Sequence, residues 1–494
     1  MNEEAAFLRA IAESPRDELL HLIFADWLEE NGHADRSELI RLQVLSSRLG
    51  DTDPQRQPMR RQERAIIARL ATQWIVEIPE CHGVGFNFRL GVPSEVVFRG
   101  YQGINAHTFR LLENLPIARF VLGNSSRGMT RPVDYRIPHD ESRPTPTIDR
   151  RYLEALISNP WFARVREIVL CGVLDSSINR RLYSGSSLER IRSLTLSDVD
   201  EVEGNDINRI VRGNAFPNLE VLRLNSTYWN GRGVPAVGDI FRNSPIRLRE
   251  LSMVGGLCQR FDLPDILRSP NLELLETLEI SSDVVTHEVG RTLGGSHVLR
   301  NLQTLRIDHS ELGEAGAFWI LRSRNLRNLR RLTLASSKVS ADSFARMPKN
   351  GWPKLEEIDL SVNPIRDDGM RELIRWRAFD TVRFLNLRTT FVTGASLREL
   401  VFSEAAANLE WIDLGNNDLG IDGARAILQN PDRLPKLRWL KLASNGIRGE
   451  ISKLIADTPW PTRLQGLDLW NNPLTRSDVA SLRRIFGDRL AFED

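Results

Sequence analysis

The sequence predicts an α/β solenoid, with parallel strands on a concave face, helices on a convex face, and a small all-α module in front. The first observation behind this is the stretch Leu409-Glu-Trp-Ile-Asp-Leu-Gly-Asn-Asn417, which reads L-x-x-L-x-L-x-x-N with Ile412 in a leucine position. Ile412 and Leu414 alternate with residues that must face the other way, the period of a strand. The second is recurrence. The leading apolar position falls at Ile117, Val165, Ile191, Leu219, Leu248, Leu275, Leu302, Leu329, Leu355, Val382, Leu409, Leu437 and Leu464, and from Val165 onward each step is 26 to 29 residues. The third lies between the strands. Gly313-Glu-Ala-Gly316-Ala-Phe-Trp-Ile-Leu321 and Gly420-Ile-Asp-Gly423-Ala-Arg-Ala-Ile-Leu428 set a small pair before an apolar i, i+3, i+4 face. Such a face would cover the strand layer from outside.

Taken in order, residues 3–13 and 17–31 form two amphipathic helices. Phe7, Leu8 and Ile11 make the first stripe; Leu19, Leu20, Ile23, Phe24, Trp27 and Leu28 make the second. Ser14 is placed as an N-cap with Pro15 at the first helical position and Asp17 in the first turn. Asn31-Gly32 ends the second helix with a residue that tolerates positive φ. Two further helices come next, at about 37–49 and 58–76. The surplus of about 21 residues between the cores at Ile117 and Val165 lies in 124–150, which carries Pro132, Pro138, Pro144 and Pro146. That segment reads as a loop inserted in the first full repeat, either mobile or draped over the sheet edge. Arg476–Phe486 reads as a closing helix and Arg489–Phe492 as a short last strand, the end cap a solenoid needs. The domains are therefore a helical module at 1–80, a solenoid at 81–475 with its inserted loop, and a cap at 476–494.

The repeat core resembles that of the leucine-rich repeat, and its period with a helical half resembles the ribonuclease-inhibitor-like class. Asn363, Asn417, Asn445 and Asn472 hold the asparagine position, where a buried amide can bond to backbone groups left open at the turn. Elsewhere it is Thr227, Asp283, Ser310, Ser337 or Thr390, and Val199 and Gly256 are departures. Ser14-Pro15-Arg-Asp17, Ala25-Asp26-Trp27-Leu28-Glu-Glu30-Asn-Gly32 and Ser37-Glu38-Leu-Ile-Arg41-Leu42-Gln43 resemble the repeat-companion domain of planctomycete bacteria, an N-terminal partner of such repeats. That resemblance covers residues 1–45 and implies architecture without an activity. The Trp74 region and the 91–100 segment resemble the chain on the C-terminal side of the module in such proteins.

With 66 basic and 65 acidic residues the net charge is +1, which argues against nucleic acid or an anionic membrane as a bulk electrostatic partner. Residues 1–80 are acidic, with 10 basic and 15 acidic side chains. Only six of the basic residues are lysine, which points to a high-GC bacterial genome. Cys81, Cys171 and Cys258 are isolated and form no disulfide framework. The acidic start and the lack of a long apolar run predict a soluble, cytoplasmic and monomeric protein.

No nucleotide, hydrolase or zinc-protease motif is present. His287-Glu288 lacks a second histidine, and Asp198, Asp200 and Glu203-Gly204 have the wrong spacing for a calcium loop. Cys81-His82 reads as a strand or turn pair. Asp26, Glu30, Asp35 and Glu38 read as a solvated face paired with Arg36 and Arg41, since no His or Cys stands at metal spacing among them. The chain is thus read as a non-enzyme with no cofactor.

The residues between the leucines instead name a binding face. Phe384, Trp411 and Trp439 come after their leading positions in three consecutive repeats, and Trp470 lies two strand positions ahead of that track. The four are expected to form an exposed aromatic strip, accompanied by Asp359, Asn386, Asp413, Lys441 and Asp468 on the next outward position. Upstream the face carries Arg223, Glu279, Arg306, Asp308 and Arg331, with Glu357 at the join. Adjacent aromatics in a mixed-charge surround suit a protein partner better than phosphates. The alternative reading is that the tryptophans cover their neighbours and bind nothing. A different class, an effector or toxin with its activity in the helical module or the inserted loop, would need a reactive residue that the sequence does not display. Nucleic-acid binding is the weaker alternative.

Overall fold

The structure is a computed structural model. It describes residues 3–13, 17–48, 56–77, 84–89, 92–98, 112–113, 115, 117–123, 156–171, 188–197, 210–213, 215–225, 241, 243–255, 262–282, 284–345, 351–448, 451–456 and 458–491. Two compact units divide the chain, Met1–Leu248 and Arg249–Asp494.

The first unit opens with helices α1 (Glu3–Glu13), α2 (Glu18–Glu30), α3 (Ala34–Arg48) and α4 (Arg56–Glu77). The predicted cap of α2 is corrected. Asp17 is itself the N-cap, its Oδ1 accepting from the backbone N–H of Leu19 at 3.1 Å and of Leu20 at 3.2 Å. A carboxylate there satisfies two of the donors a helix start leaves open, so the helix begins one residue later, at Glu18. At the other end Asn31 is the C-cap and Gly32 takes φ +83°, as its sequence requires. Ile11, Phe24, Ala25, Leu28, Ile40 and Val44 form one buried cluster, with Phe7 and Trp27 packed against it. Leu39, Leu42, Ile66, Ile67 and Leu70 form a second, which ties α3 to α4.

Sheet pairing starts before residue 100, ahead of the first predicted repeat. Strands β1 (Val84–Arg89) and β2 (Val92–Phe98) pair antiparallel, and β2 then pairs parallel with β3 (Arg119–Gly123). Strands β4 (Glu167–Cys171), β5 (Ser193–Ser197) and β6 (Val221–Asn225) continue in chain order, all parallel. The inserted loop, the Asp198–Gly204 turn, Cys81-His82, Cys258 and the repeat positions Val199, Thr227, Gly256 and Asp283 lie outside the described residues.

The second unit repeats one strand-and-helix step. Its strands are β7 (Glu250–Val254), β8 (Thr277–Ser281), β9 (Thr304–Asp308), β10 (Arg331–Thr333), β11 (Glu357–Asp359), β12 (Phe384–Asn386), β13 (Trp411–Asp413), β14 (Trp439–Lys441), β15 (Gly466–Asp468) and β16 (Leu490–Ala491). Each is parallel to the next. The register aligns Leu305, Leu332, Ile358, Leu385, Ile412, Leu440 and Leu467 in one inward row. Every predicted leading position from Ile117 to Leu464 is no more than 2 % exposed. Helices α5 (Leu263–Leu267), α6 (His287–Gly295), α7 (Gly313–Leu321), α8 (Arg366–Arg375), α9 (Gly394–Val401), α10 (Gly420–Leu428), α11 (Ile451–Ala456), α12 (Trp460–Arg463) and α13 (Arg476–Phe486) cover the opposite side of that core. The small pairs set how closely these helices approach. A Cβ on Gly290 would stand 2.5 Å from the Gly316 Cα, so α6 and α7 meet backbone to backbone. The closing helix has the predicted bounds, capped by Thr475, and the last strand is the two-residue β16 on the edge of β15.

Beyond strands β9 to β15 the chain turns sharply through a left-handed residue. His309, Ser336, Val362, Thr389, Asn416, Ser444 and Asn471 all have φ between 48° and 58°. The asparagine one position on serves the groups this turn leaves open. Asn363 Oδ1 accepts from the N–H groups of Ser337 (3.1 Å) and Val339 (2.9 Å) in the previous repeat, and its Nδ2 donates to the carbonyls of Leu334, Leu360 and Ser361. Asn417 makes the same set with Thr390, Val392, Leu387, Leu414 and Gly415. Asn472 repeats it with Asn445, Ile447, Leu442, Leu469 and Trp470. Ser337, lacking an amide, donates its hydroxyl to the Ile307 and Ala335 carbonyls. The backbone N–H of Ser310 turns instead to the carbonyl of Ser336.

Among the described residues no helix is long and apolar enough to cross a membrane. Replacing Asn363 by Ala strands buried N–H and C=O groups in two repeats, and should cost about 3 kcal/mol in urea unfolding. The same change at Ser337, whose backbone N–H keeps its bond to Asn363, should cost visibly less.

Candidate binding face

The side chains at the first and third positions of β9 to β15 point away from the apolar core, because successive Cβ atoms alternate across a sheet. The register brings Arg331, Glu357, Phe384, Trp411, Trp439 and Gly466 into one transverse row, in adjacent strands. A second row holds Arg306, Thr333, Asp359, Asn386, Asp413, Lys441 and Asp468. The juxtapositions read from the sequence are therefore present. The behaviour of the side chains in them differs from expectation in three places.

First, Trp411 is not exposed. It is 3 % accessible, with Lys441 Nζ 5.0 Å from its ring centroid and its indole N–H without a hydrogen-bond partner. Phe384 and Trp439 flank it on the adjacent strands, and large cross-strand neighbours of this kind cover one another. Trp439 lies flat: a Cβ on Gly466 would come within 2.0 Å of its ring, and its Nε1 donates to Gln465 Oε1 at 3.1 Å. The glycine makes the space that the ring fills. Phe384 remains half-buried, with the Arg383 guanidinium 5.4 Å from its ring.

Second, Trp470 stands apart from the aromatic row. Gly466 occupies the place beside Trp439, and Trp470 falls beyond the end of β15, 39 % exposed.

Third, the carboxylates of the second row are turned onto the backbone. Asp359 Oδ1 accepts from the Ser361 N–H at 2.9 Å and the Ser361 hydroxyl at 2.6 Å, and Oδ2 takes the Asn386 amide at 2.9 Å. Asp413 Oδ1 accepts from Gly415 N–H at 2.9 Å, and Asp468 Oδ1 from Trp470 N–H at 3.0 Å. Asn386 does the same for Arg388. Asp and Asn favour this bond to the backbone two residues on. Asp359 and Asp413 are accordingly buried, and Lys441 Nζ lies 3.5 Å from Asp413. These residues shape the strand exits, a role their outward position alone does not disclose.

The basic residues remain at the surface. Arg331 faces Glu357 at 3.5 Å, and Arg306 Nε binds Asp308 Oδ2 at 2.8 Å with Glu279 at 3.9 Å. Arg388 lies across Gly415. Burial pushes the Asp308 carboxyl above the usual carboxylate range, with Asp359 and Glu279 adding to the rise and Arg306 opposing it. Burial likewise raises Asp468, with Asp413 adding and Lys441 opposing.

Sequence reasoning also missed a second amide ladder at the start of the strands. Asn301, Asn328 and Asn408 donate Nδ2 to the carbonyls of Glu273, Arg300 and Asp380 in the preceding repeat, at 2.8 to 2.9 Å. Lys354 and Lys436 then donate to the Asn328 and Asn408 oxygens. The signal was legible: an Asn directly before the leading leucine, at 301, 328 and 408. Among the described side chains of the helical module the expected pairing holds for Asp26 alone, and Asp35 and Glu38 change partner. Arg41 binds Asp26 and Glu29, and Arg69 binds Asp35 with Glu38 at 3.9 Å, whereas Arg36 turns to Glu4. Among the described residues no three His, Cys, Asp or Glu side chains are grouped to hold a metal ion.

The leucine-rich-repeat family profile matches residues 353–373, the turn that contains β11 and the start of α8. Over 151 residues the chain is 30 % identical to protein CARMIL of Dictyostelium discoideum, covering 29 % of this chain and 14 % of that protein. Over 223 residues it is 26 % identical to ribonuclease inhibitor of Sus scrofa, covering 43 % of this chain and 49 % of the inhibitor. The chain thus spans no more than about half the length of these curated relatives. Solved structures similar to it include the mouse RP105/MD-1 complex (17 % identity, TM-score 0.44, covering 76 % of this chain and 59 % of that one) and the Rad7 and Elc1 complex of yeast (14 %, 0.46, covering 98 % and 97 %).

This geometry has two measurable outcomes. Trp411→Ala should destabilise the protein by about 3 kcal/mol, as removal of a buried ring does, and so lower its melting temperature. Because the Asp308 pKa is raised on folding, the folded state holds that proton more tightly, and stability falls as pH rises through the raised value. Asp308→Asn should therefore stabilise the protein at pH 7, with an advantage over the parent that shrinks as pH falls into the ordinary carboxylate range.

Proposed function

We propose that this leucine-rich-repeat protein, similar over part of its length to ribonuclease inhibitor, is a non-enzymatic scaffold that takes a protein partner on the concave strand face between Arg306 and Trp470. The observation that carries the reading is the paved row at Phe384, Trp411 and Trp439. There Phe384 and Trp439, both half-buried, offer aromatic surface on either side of the buried Trp411, with Arg331, Arg383 and Lys441 around it. Rigid aromatics lose little entropy on binding and are where interfaces concentrate their energy. Four to six repeats of such a face supply the roughly 800 Å² per partner that a stable protein complex buries. A relative whose name describes inhibition of a ribonuclease acts on another protein, in keeping with this reading. Trp470 and Arg306 would contact the partner at the margins, and Asp359, Asp413 and Asp468 would act through the turns they hold.

The helical module is read as the repeat-companion domain, and the isolated cysteines, of which Cys171 is buried and free of disulfide, suit a reducing cytoplasmic setting. An effector activity in the module finds no support in Asp26, Glu29 and Asp35, which are bound by Arg41 and Arg69.

The test is affinity capture with the full chain from its own cell extract, comparing the parent with Phe384→Ser combined with Arg331→Glu. Neither side chain holds a core position, so the melting temperature should move little. A protein recovered by the parent and lost with the variant is the expected result. Equal recovery would remove the strand face from consideration.

A further inference from the structure

We propose that the helical module has a docking site of its own, an apolar patch of Leu19, Ile23 and Leu45 that takes a basic amphipathic helix of a partner protein. The three side chains are 67 %, 47 % and 49 % exposed. They are brought together by the way α2 and α3 pair. Leu19, Ile23 and Asp26 fall at i, i+4 and i+7 on one stripe of α2, and Arg41 and Leu45 at i and i+4 on one stripe of α3. Arg41 bonds to Asp26 at 2.7 Å and to Glu29 at 2.5 Å, while the Ser47 hydroxyl donates to Glu18 Oε1 at 3.1 Å. These bonds pin the two helices antiparallel at both ends of the stripe. Leu19, Ile23 and Leu45 lie between the pins.

The apolar clusters described for the module do not use these positions. The buried set of Ile11, Phe24, Ala25, Leu28, Ile40 and Val44 is built from the other faces of α2 and α3 with Ile11 of α1. Exposed leucine and isoleucine that come together, rather than scattered singly, mark an interaction site. The rim gives the partner its chemistry. Asp17, Asp26, Glu29 and Glu30 are exposed around the patch, and among the described side chains the cation beside it, Arg41, is engaged by two of them. An apolar strip flanked by carboxylates complements a helix with leucines on one face and lysine or arginine on its flanks. It repels an anionic bilayer, and a second copy would set carboxylates against carboxylates. This site shares no residue with the strand face, so either proposal can fail without the other.

The test uses the full chain and a fluorescent 18-residue helical peptide of leucine and lysine, with binding read by anisotropy. Saturable binding is expected, weakened about tenfold or more in the Leu19→Ser, Leu45→Ser double variant, whose melting temperature should be unchanged or higher. Glu30→Lys should weaken binding and flatten its salt dependence, and it decides the matter if the double variant loses helix content. Equal affinity for parent and both variants overturns the proposal. So does equal binding of a leucine and glutamate peptide of the same length, or capture by lipid vesicles in place of the peptide.

Discussion

The constraint on which this structure depends is the fate of the backbone at the end of each strand. Beyond each three-residue parallel strand the turn buries N–H and C=O groups that the strand ladder does not reach. A buried peptide group without a partner costs about 1–3 kcal/mol, and a solenoid meets that cost at every repeat. The amides of Asn363, Asn417 and Asn472 each bond to two N–H groups and three carbonyls, some in their own turn and some across the boundary in the preceding repeat. The same side chain therefore closes its own turn and holds the preceding one in register. Where the amide is missing, at Ser337, the work is split between a hydroxyl and a neighbouring carbonyl.

Register in turn decides what the strand face can be. With the turns fixed, the first and third residues of each short strand stand in straight rows, and chemistry repeated in the sequence becomes a surface. Much of that surface is used internally. Asp359, Asn386, Asp413 and Asp468 fold back to hold the N–H two residues on, and Trp439 lies over Gly466. The result is a face whose side chains are largely held by the sheet, with basic residues at its surface, and the proposed partner would find little of it left to order on binding. Burial that raises the Asp308 and Asp468 carboxyls marks where the face holds charge at a cost in stability.

Much of this was legible in the chain. The leading leucines, the Asn rows, the closing helix and the neighbour relations of Phe384, Trp411 and Trp439 all come from a period of about 27, because parallel in-register strands turn equal spacing into adjacency. The depth of individual side chains was not legible. The motif leaves Trp411 free by position, yet its burial depends on Lys441 one strand away, and the flat pose of Trp439 depends on a glycine in the next repeat. The Asp caps were hidden for a similar reason: an outward carboxylate reads the same whether it faces solvent or its own backbone. The cap of α2 went to Asp17 over Ser14 because both residues are good caps and spacing alone does not rank them. The exposed Leu19 and Ile23 were folded into a broad apolar stripe, which α3 covers only in part.

The central claim is that the strand face is the site of recognition. Backbone hydrogen exchange of the full chain, with and without a captured partner, addresses it most directly. Slowed exchange of the amides from Arg331 to Trp470 that border the strand face, with α8 to α10 unchanged, is the predicted result. Protection confined to those helices, with the strands unaffected, would contradict it.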